Sequence, residues 1–143
     1  MKKHIDATPE SGKDFYINFH DKGEIVMLNL LKFKDIADYS NLAPIPTTKT
    51  SGKEAFKLYL SATNKQLKEF GSEIIFYGAS NSFLIGPEHE KWDAVLLVKH
   101  KSVLKFMEFA KTDAYLNNVI HRSAALEDSR LLPISEYLNS PFF

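Results

Sequence analysis

Residues 92–133 constrain the fold of this chain more than any other segment. They begin with an apolar run over 93–99, which is typical of a strand in the middle of a sheet. Ser102 then starts an amphipathic helix, because its hydroxyl can cap the backbone N–H groups that follow it. A second helical stretch begins at Thr112, and a closing strand is predicted over 130–134. The segment therefore predicts a strand, a helical connection and a further strand.

Two more strands and a long helix precede this segment. The first strand is predicted over 24–33, and the second over 73–79, with 83–86 as its continuation beyond a bulge. Ser51 and Glu54 match a capping box, in which a hydroxyl and an acid three residues later satisfy the first backbone groups of a helix.

A long loop is predicted over 35–50, because this stretch contains two prolines and many small polar residues, with at most one turn around 36–39. Loops of this length are uncommon unless they cover or shape a site. At the N-terminus, Thr8 and Pro9 are typical of a helix start.

One domain is expected over 1–143, since the length suits a single core. Residues 1–23 are predicted to be an N-terminal helical arm, 24–134 the folded core and 135–143 a C-terminal tail. The order of elements in the core is strand, helix, strand, strand, helix, strand, which defines the βαββαβ or ferredoxin-like fold of the α+β class. Right-handed crossovers place the first and third strands in the centre of an antiparallel sheet.

Both central strands are apolar on both faces. In the first strand, Val26, Leu28 and Leu30 lie on one face, and Ile25, Met27 and Leu31 lie on the other. One chain supplies helices for only one face of the sheet, so the other face would be an exposed apolar patch, which is typical of an interaction site. We therefore expect a homodimer that forms a dimeric α/β barrel. The alternative is that the N-terminal arm and the long loop cover the second face.

Composition excludes several classes of function. The chain has 18 basic and 18 acidic residues, so it lacks the basic footprint of a nucleic-acid-binding protein and the charge that attracts a membrane surface. It has no cysteine, which excludes disulfides, thiolate metal ligands and a thiol nucleophile. No apolar run suits a secretory signal or a membrane span. We expect a cytoplasmic protein.

Several segments resemble the uncharacterised family called domain of unknown function 1330. They are VMLNLLKFK at 26–34, SGKEAF at 51–56, IGP at 85–87, WDAVLLV at 92–98 and HRSAALEDSRLLP at 121–133. That family belongs to the dimeric α/β-barrel superfamily, which includes cofactor-independent monooxygenases, stress-induced proteins and small isomerase-like or lyase-like enzymes. The resemblance implies a dimer with a cleft between sheet and helices, and it implies no single reaction.

Three residues on or beside the strands are candidates for ligand binding. Asn29 interrupts an apolar strand, so its amide either bonds neighbouring groups or contacts a ligand. Tyr77 and Trp92 each combine an apolar ring with one polar group, which suits a small-molecule pocket. For each of the three, a purely structural role in the core is the alternative.

His121 and Arg122 are the candidate catalytic residues. An imidazole moves protons near neutral pH, and a guanidinium binds a carboxylate through two parallel hydrogen bonds. The alternative is that both form ion contacts with Glu127 or Asp128. Tyr115 is a further candidate for lining a cleft, and packing against the sheet is its alternative role.

No metal site or bound cofactor is expected, because the histidines do not fall at the spacing of metal ligands and the motifs of nucleotide-binding proteins are missing. Three functions remain open. The chain is either an enzyme without a cofactor that acts on a small organic acid or aromatic compound, a non-catalytic ligand-binding or stress-related module, or a structural dimer.

Overall fold

A computed structural model describes residues 2–40 and 49–137 of the protein. Within these residues the elements follow the predicted order, with the second helical region divided in two. They are α1 (Pro9–Phe19), β1 (Ile25–Phe33), α2 (Gly52–Glu69), β2 (Glu73–Ala79), β3 (Ala94–His100), α3 (Val103–Ala110), α4 (Asp113–Ala125) and β4 (Leu126–Ser135).

The four strands form one antiparallel sheet in the order β2-β3-β1-β4. This is the ferredoxin-like arrangement, so the prediction of an α+β fold with β1 and β3 in the centre is confirmed. Along the central pair, Met27 lies opposite Val98 and Leu31 lies opposite Ala94. Directly opposed residues project from the same face, so this register aligns the apolar rows of the two strands.

The core lies between one face of the sheet and the helices. Met27, Leu31 and Leu96 project into it from the sheet, and Phe56 and Ala125 meet them from α2 and α4. Each fully buried large apolar side chain contributes on the order of 1.5–3 kcal/mol. The helices therefore cover the central part of this face, and Tyr77 on β2 stays exposed at its edge.

The second face of the sheet, which we call the open face, is also apolar. The N-terminal helix does not lie on it, because Phe15 of α1 makes an edge-to-face contact with Phe106 of α3 on the helical side. In the described part of the chain, α1 therefore lies on the same side of the sheet as the other helices. The register of the sheet places these apolar residues on the open face, together with Lys99 and Arg130: Val26, Leu28, Leu30, Phe76, Val95, Leu97, Leu132 and Ile134.

The last strand begins earlier than the sequence suggests. It starts at Leu126, directly after α4, and not at Arg130. The charged and polar residues before Arg130 indicated a turn, but β4 is an edge strand, where polar side chains are normal. The N-terminal arm supplies hydrogen-bond partners for two of these side chains. The His4 N–H donates to Asp128 Oδ1 at 2.8 Å, and Ser129 Oγ–H donates to the His4 carbonyl at 2.6 Å.

Two smaller predictions also differ from the structure. Residues 83–86 do not continue β2; an isolated bridge joins Ser82 to Lys91, and the bulge lies inside β2 between Ile74 and Phe76. Residues 36–39 form no helical turn. The part of the predicted loop at 41–48 and the end of the predicted tail at 138–143 lie outside the described residues. Within the described part, no helix is both long and apolar enough to cross a membrane.

Candidate functional site

A cleft of about 600 Å³ opens at the end of the sheet where β1 and β2 finish and β3 begins. Pockets that bind small molecules commonly measure about 300–1,000 Å³. The start of α2 forms the opposite wall. The residues that line the cleft are Phe33, Lys34, Asp35, Ser51, Lys53, Tyr77, Gly78, Ala79, Asp93 and Ala94.

Gly52 fixes one wall of the cleft by a close backbone approach. Its N–H donates to the Lys34 carbonyl at 3.0 Å, and the Lys34 N–H donates to the Ala125 carbonyl at 2.8 Å. A Cβ atom on Gly52 would lie 2.2 Å from the Lys34 oxygen and 2.7 Å from the Ala125 oxygen. Only glycine allows the end of β1, the start of α2 and the end of α4 to meet at this point.

Asp93 joins the two central strands on the floor of the cleft. Its carboxylate accepts a hydrogen bond from the Phe33 N–H at 2.8 Å, and its own N–H donates to the Leu31 carbonyl at 2.8 Å. The carboxylate is therefore engaged in holding the sheet, and its role in the cleft is structural.

Tyr77 is the aromatic surface of the cleft. Its ring stacks on Phe56, with centroids 6.3 Å apart and planes at 29°. No described residue forms a hydrogen bond with its hydroxyl group, and burial raises the pKa of Tyr77 above its usual value. At neutral pH the side chain is therefore an uncharged phenol that can donate to a ligand.

Two lysines supply positive charge around Tyr77. Lys34 Nζ lies 3.8 Å from Asp38 Oδ2, in a largely exposed pair that contributes little stability. Lys53 lies in the first turn of α2 and has no ion-pair partner among the described residues. Asp35 also lines the cleft. The cleft thus combines an aromatic ring, a free phenol and two ammonium groups, a set that suits a ligand with an apolar part and an anionic part.

His121 is bound to a residue that the sequence did not suggest. Its Nδ1 lies 2.6 Å from the hydroxyl oxygen of Tyr39, a buried residue that follows β1 in the chain. Desolvation lowers the pKa of His121 and raises the pKa of Tyr39, so both side chains are neutral at pH 7. Either group can be the donor, according to the tautomer of the imidazole.

Arg122 faces a different partner. Its Nη1 donates to the Ile5 carbonyl at 2.9 Å and lies 3.9 Å from Asp6 Oδ1, and its side chain is only 14% exposed. Consecutive residues of a helix differ in direction by about 100°, which explains why the predicted pair separates. Neither His121 nor Arg122 lines the 600 Å³ cleft, and neither pairs with Glu127 or Asp128.

Tyr115 belongs to a buried polar network between α2 and α4. Its hydroxyl lies 3.2 Å from that of Tyr59, and Asn118 Nδ2 donates to the Tyr59 carbonyl at 3.0 Å and to Thr63 Oγ1 at 2.6 Å. Burial raises the pKa of Tyr59 well above its usual value. Tyr115 and Asn118 are three residues apart and so lie on one face of α4, and this spacing was the feature of the sequence that could have predicted the network.

Asn29 and Trp92 lie outside the wall of the described cleft. Asn29 Nδ2 donates to the carbonyls of Met27 at 3.3 Å and Leu96 at 3.2 Å, so the NH2 group of this half-buried amide is bonded within the sheet. The Trp92 ring is 3% exposed, and the guanidinium carbon of Arg130 lies 5.0 Å from its centroid. Of the six candidate residues, the structure places Tyr77 alone in the wall of the described cleft.

Metal coordination finds no support in the part of the chain that the structure describes, where no three potential ligand side chains gather. The cleft residues that sequence reasoning missed are the lysines, which are common on protein surfaces. Only the fold shows that Lys34 and Lys53 flank the same opening.

Comparison with solved structures finds a relative that shares both sequence and fold with this chain. RPA0582 of Rhodopseudomonas palustris, a protein of unknown function, is 33% identical, with a TM-score of 0.82 over 94% of this chain and 98% of its own. The methylated form of RPA0582 gives a TM-score of 0.84 at 33% identity, over 98% and 99% of the two chains.

A more distant solved structure has a similar fold but little sequence similarity to this chain. The hydroxynitrile lyase of Passiflora edulis is 10% identical, with a TM-score of 0.51 over 84% of this chain and 99% of its own. No family model and no curated protein sequence matches the chain.

Proposed function

We propose that this chain, which belongs to the same family as RPA0582 of Rhodopseudomonas palustris, is a homodimeric protein that binds a small organic acid or aromatic compound. We further propose that this family corresponds to domain of unknown function 1330, on the segments quoted above. Its cytoplasmic location remains a prediction.

The homodimer is supported by the open face. In the centre of that face, Leu28 lies opposite Leu97 on β3 and Leu132 on β4. Leu30 lies opposite Val95 on β3 and Arg130 on β4. Helices cover only the other face, and α1 packs against α3. Contact with another apolar surface removes such a face from water and so stabilises it. The open face of a second copy of the chain is such a surface.

The ligand class is supported mainly by one observation, that Tyr77 lines the same cleft as Lys34 and Lys53. The ring offers apolar contact and its hydroxyl offers a hydrogen bond. Lys53 offers an ammonium group that no described acidic residue neutralises. An aromatic carboxylate uses all three features at once, whereas a neutral aromatic compound uses only the first two.

The test is a binding measurement with matched probes. Benzoate and 4-hydroxybenzoate are compared with benzamide by calorimetry at low ionic strength. We expect both carboxylates to bind. Lys53→Gln removes a charge-assisted hydrogen bond and Tyr77→Phe removes a neutral one, so each substitution is expected to weaken carboxylate binding about tenfold. Lys65→Gln is the matched control, an exposed lysine farther along α2. Equal binding of benzamide, or equal loss in the control, would contradict the proposal.

Catalysis without a cofactor is the second candidate function, and the contact between Tyr39 and His121 favours it. A neutral imidazole fixed by a phenol at 2.6 Å is suited to proton transfer. In this proposal His121 is the acid or base, and Arg122, which bonds the Ile5 carbonyl and lies 3.9 Å from Asp6, holds the N-terminal arm beside it. A compound that binds is incubated with the wild type and with His121→Gln. Turnover by the wild type alone supports catalysis, and binding without turnover by either favours the non-catalytic module.

A further inference from the structure

The sheet side of the cleft changes in depth at the end of β2. Tyr77 of β2 lies opposite Leu96 of β3, and the next row on the same face of the sheet pairs Ala79 with Ala94. Residues two apart on a strand project from the same face, about 6–7 Å from each other. Both alanines line the cleft, so the cleft continues beyond the Tyr77 ring over side chains that end at a methyl group.

Ala79 is the member of this pair that a ligand can reach. Ala94 is 4% exposed and belongs to the core, whereas Ala79 is exposed on β2, an edge strand of the sheet. We call the space over Ala79 the alanine subsite. Because Ala79 is exposed, a larger side chain at this position fills the subsite without displacing a packed residue.

The sheet side of the cleft also carries two aromatic rings. Phe33 at the end of β1 and Tyr77 on β2 both line the cleft. Their rings contact the buried ring of Phe56, with centroids 5.4 Å and 6.3 Å from it. The two lysines of the cleft, by contrast, follow β1 and lie in the first turn of α2. The sheet therefore offers a ligand apolar surface, and the start of α2 offers it positive charge.

The cleft is larger than an acid with a single ring. A water molecule occupies about 30 Å³ of the liquid, so a cleft of about 600 Å³ has room for roughly twenty water molecules. Benzoate has nine non-hydrogen atoms and fills less than about half of this volume, even at one water volume per atom. A ligand that reaches both the lysines and the alanine subsite therefore needs a second apolar ring.

We propose that the cleft prefers aromatic carboxylates with two fused rings to those with one, and that Ala79 determines this preference. The inference rests on the proposed binding of an aromatic acid and adds the size of that acid. The carboxylate lies toward Lys53, the first ring lies against Tyr77 and the second ring covers Ala79. Contact with the apolar side of the cleft removes the second ring from water, which is the source of the preference.

The experiment measures the dissociation constants of benzoate and 2-naphthoate by calorimetry at low ionic strength, for the full chain and two variants. Ala79→Leu extends a branched aliphatic side chain into the alanine subsite. Ser80→Leu is the matched control, because Ser80 is the exposed neighbour of Ala79 in the chain and does not line the cleft. The quantity compared is the ratio of the two dissociation constants, and circular dichroism confirms that each variant is folded.

The wild type is expected to bind 2-naphthoate about tenfold more tightly than benzoate, or more, because the carbons of the second ring are buried. Ala79→Leu is expected to bring the ratio of the dissociation constants to about one, since the leucine occupies the volume that the second ring needs. Ser80→Leu is expected to keep the ratio of the wild type.

The inference is overturned if the ratio is unchanged in Ala79→Leu, if folded Ala79→Leu loses both acids, or if Ser80→Leu lowers the ratio equally. Equal binding of the two acids by the wild type also overturns it and leaves the proposed function standing. If the wild type binds neither acid, the proposed function fails and the inference fails with it.

Discussion

Replacing His100 by glutamine is expected to flatten the dependence of folding stability on pH. His100 is the last residue of β3 and is 2% exposed, with its Nδ1 2.8 Å from the hydroxyl oxygen of Ser72 and its ring packed edge-on against Phe106. Desolvation lowers its pKa from 6.5 to about 4. The native state therefore keeps this imidazole neutral under conditions in which the unfolded chain protonates it.

The sign and size follow from proton linkage. Between pH 4 and 6.5 the unfolded state binds more protons at His100 than the native state, so the free energy of unfolding rises with pH. A pKa lowered from 6.5 to about 4 corresponds to about 3 kcal/mol of stability. The wild type is expected to lose this stability as the pH falls from 6.5 to 4, and the His100→Gln variant is expected to keep it.

The assay is urea unfolding at one protein concentration, followed by the fluorescence of Trp92, the single tryptophan of the chain. Free energies of unfolding are measured at half-unit steps from pH 4 to 7.5. His89→Gln is the control, because His89 is exposed and its replacement should leave the profile of the wild type unchanged. Parallel profiles for the wild type and His100→Gln would refute the reasoning, and so would a variant that loses more stability than the wild type as the pH falls.

Three further substitutions test the packing argument by urea unfolding at pH 7. Gly52→Ala is expected to cost more than about 3 kcal/mol or to prevent folding, because its Cβ would lie 2.2 Å from the Lys34 oxygen. Gly12→Ala is expected to stabilise α1 by about 0.5–1 kcal/mol, since nothing lies within 4 Å of the new methyl group. Asn118→Ala should cost about 1–3 kcal/mol, since it leaves a buried carbonyl and hydroxyl without their donor.

The parts of the fold that follow from local patterns could be predicted from the sequence. Helix starts at Ser51 and Ser102 are confirmed by their capping hydrogen bonds to Glu54 and Lys105. The apolar character of β1 and β3 on both faces was sufficient to place them in the centre of the sheet.

The start of β4 could not be predicted in this way. Its polar residues are satisfied by the N-terminal arm, since Ser129 bonds to His4, which is 125 residues away in the chain. A local pattern contains no information about a partner so distant.

The hydrogen bonds of the candidate site residues also join parts of the chain that are far apart in sequence. Tyr39 and His121 are 82 residues apart, and Tyr59 and Tyr115 are 56 residues apart. Each hydroxyl finds its partner only because α2, α4 and the segment after β1 pack together. Sequence reasoning identified His121 and Tyr115 as notable side chains, but it could not identify the groups that engage them.

The segment that follows β1 connects the cleft to His121. Lys34 lines the cleft, and from there the chain is pinned by two backbone hydrogen bonds, from the Ala37 N–H to the Thr50 carbonyl and from the Asp38 N–H to the Ala124 carbonyl, both at 2.9 Å. Tyr39 follows immediately and contacts His121. The cleft and the Tyr39–His121 pair are therefore joined by a short segment whose backbone is anchored at two points, which fixes their separation in the fold.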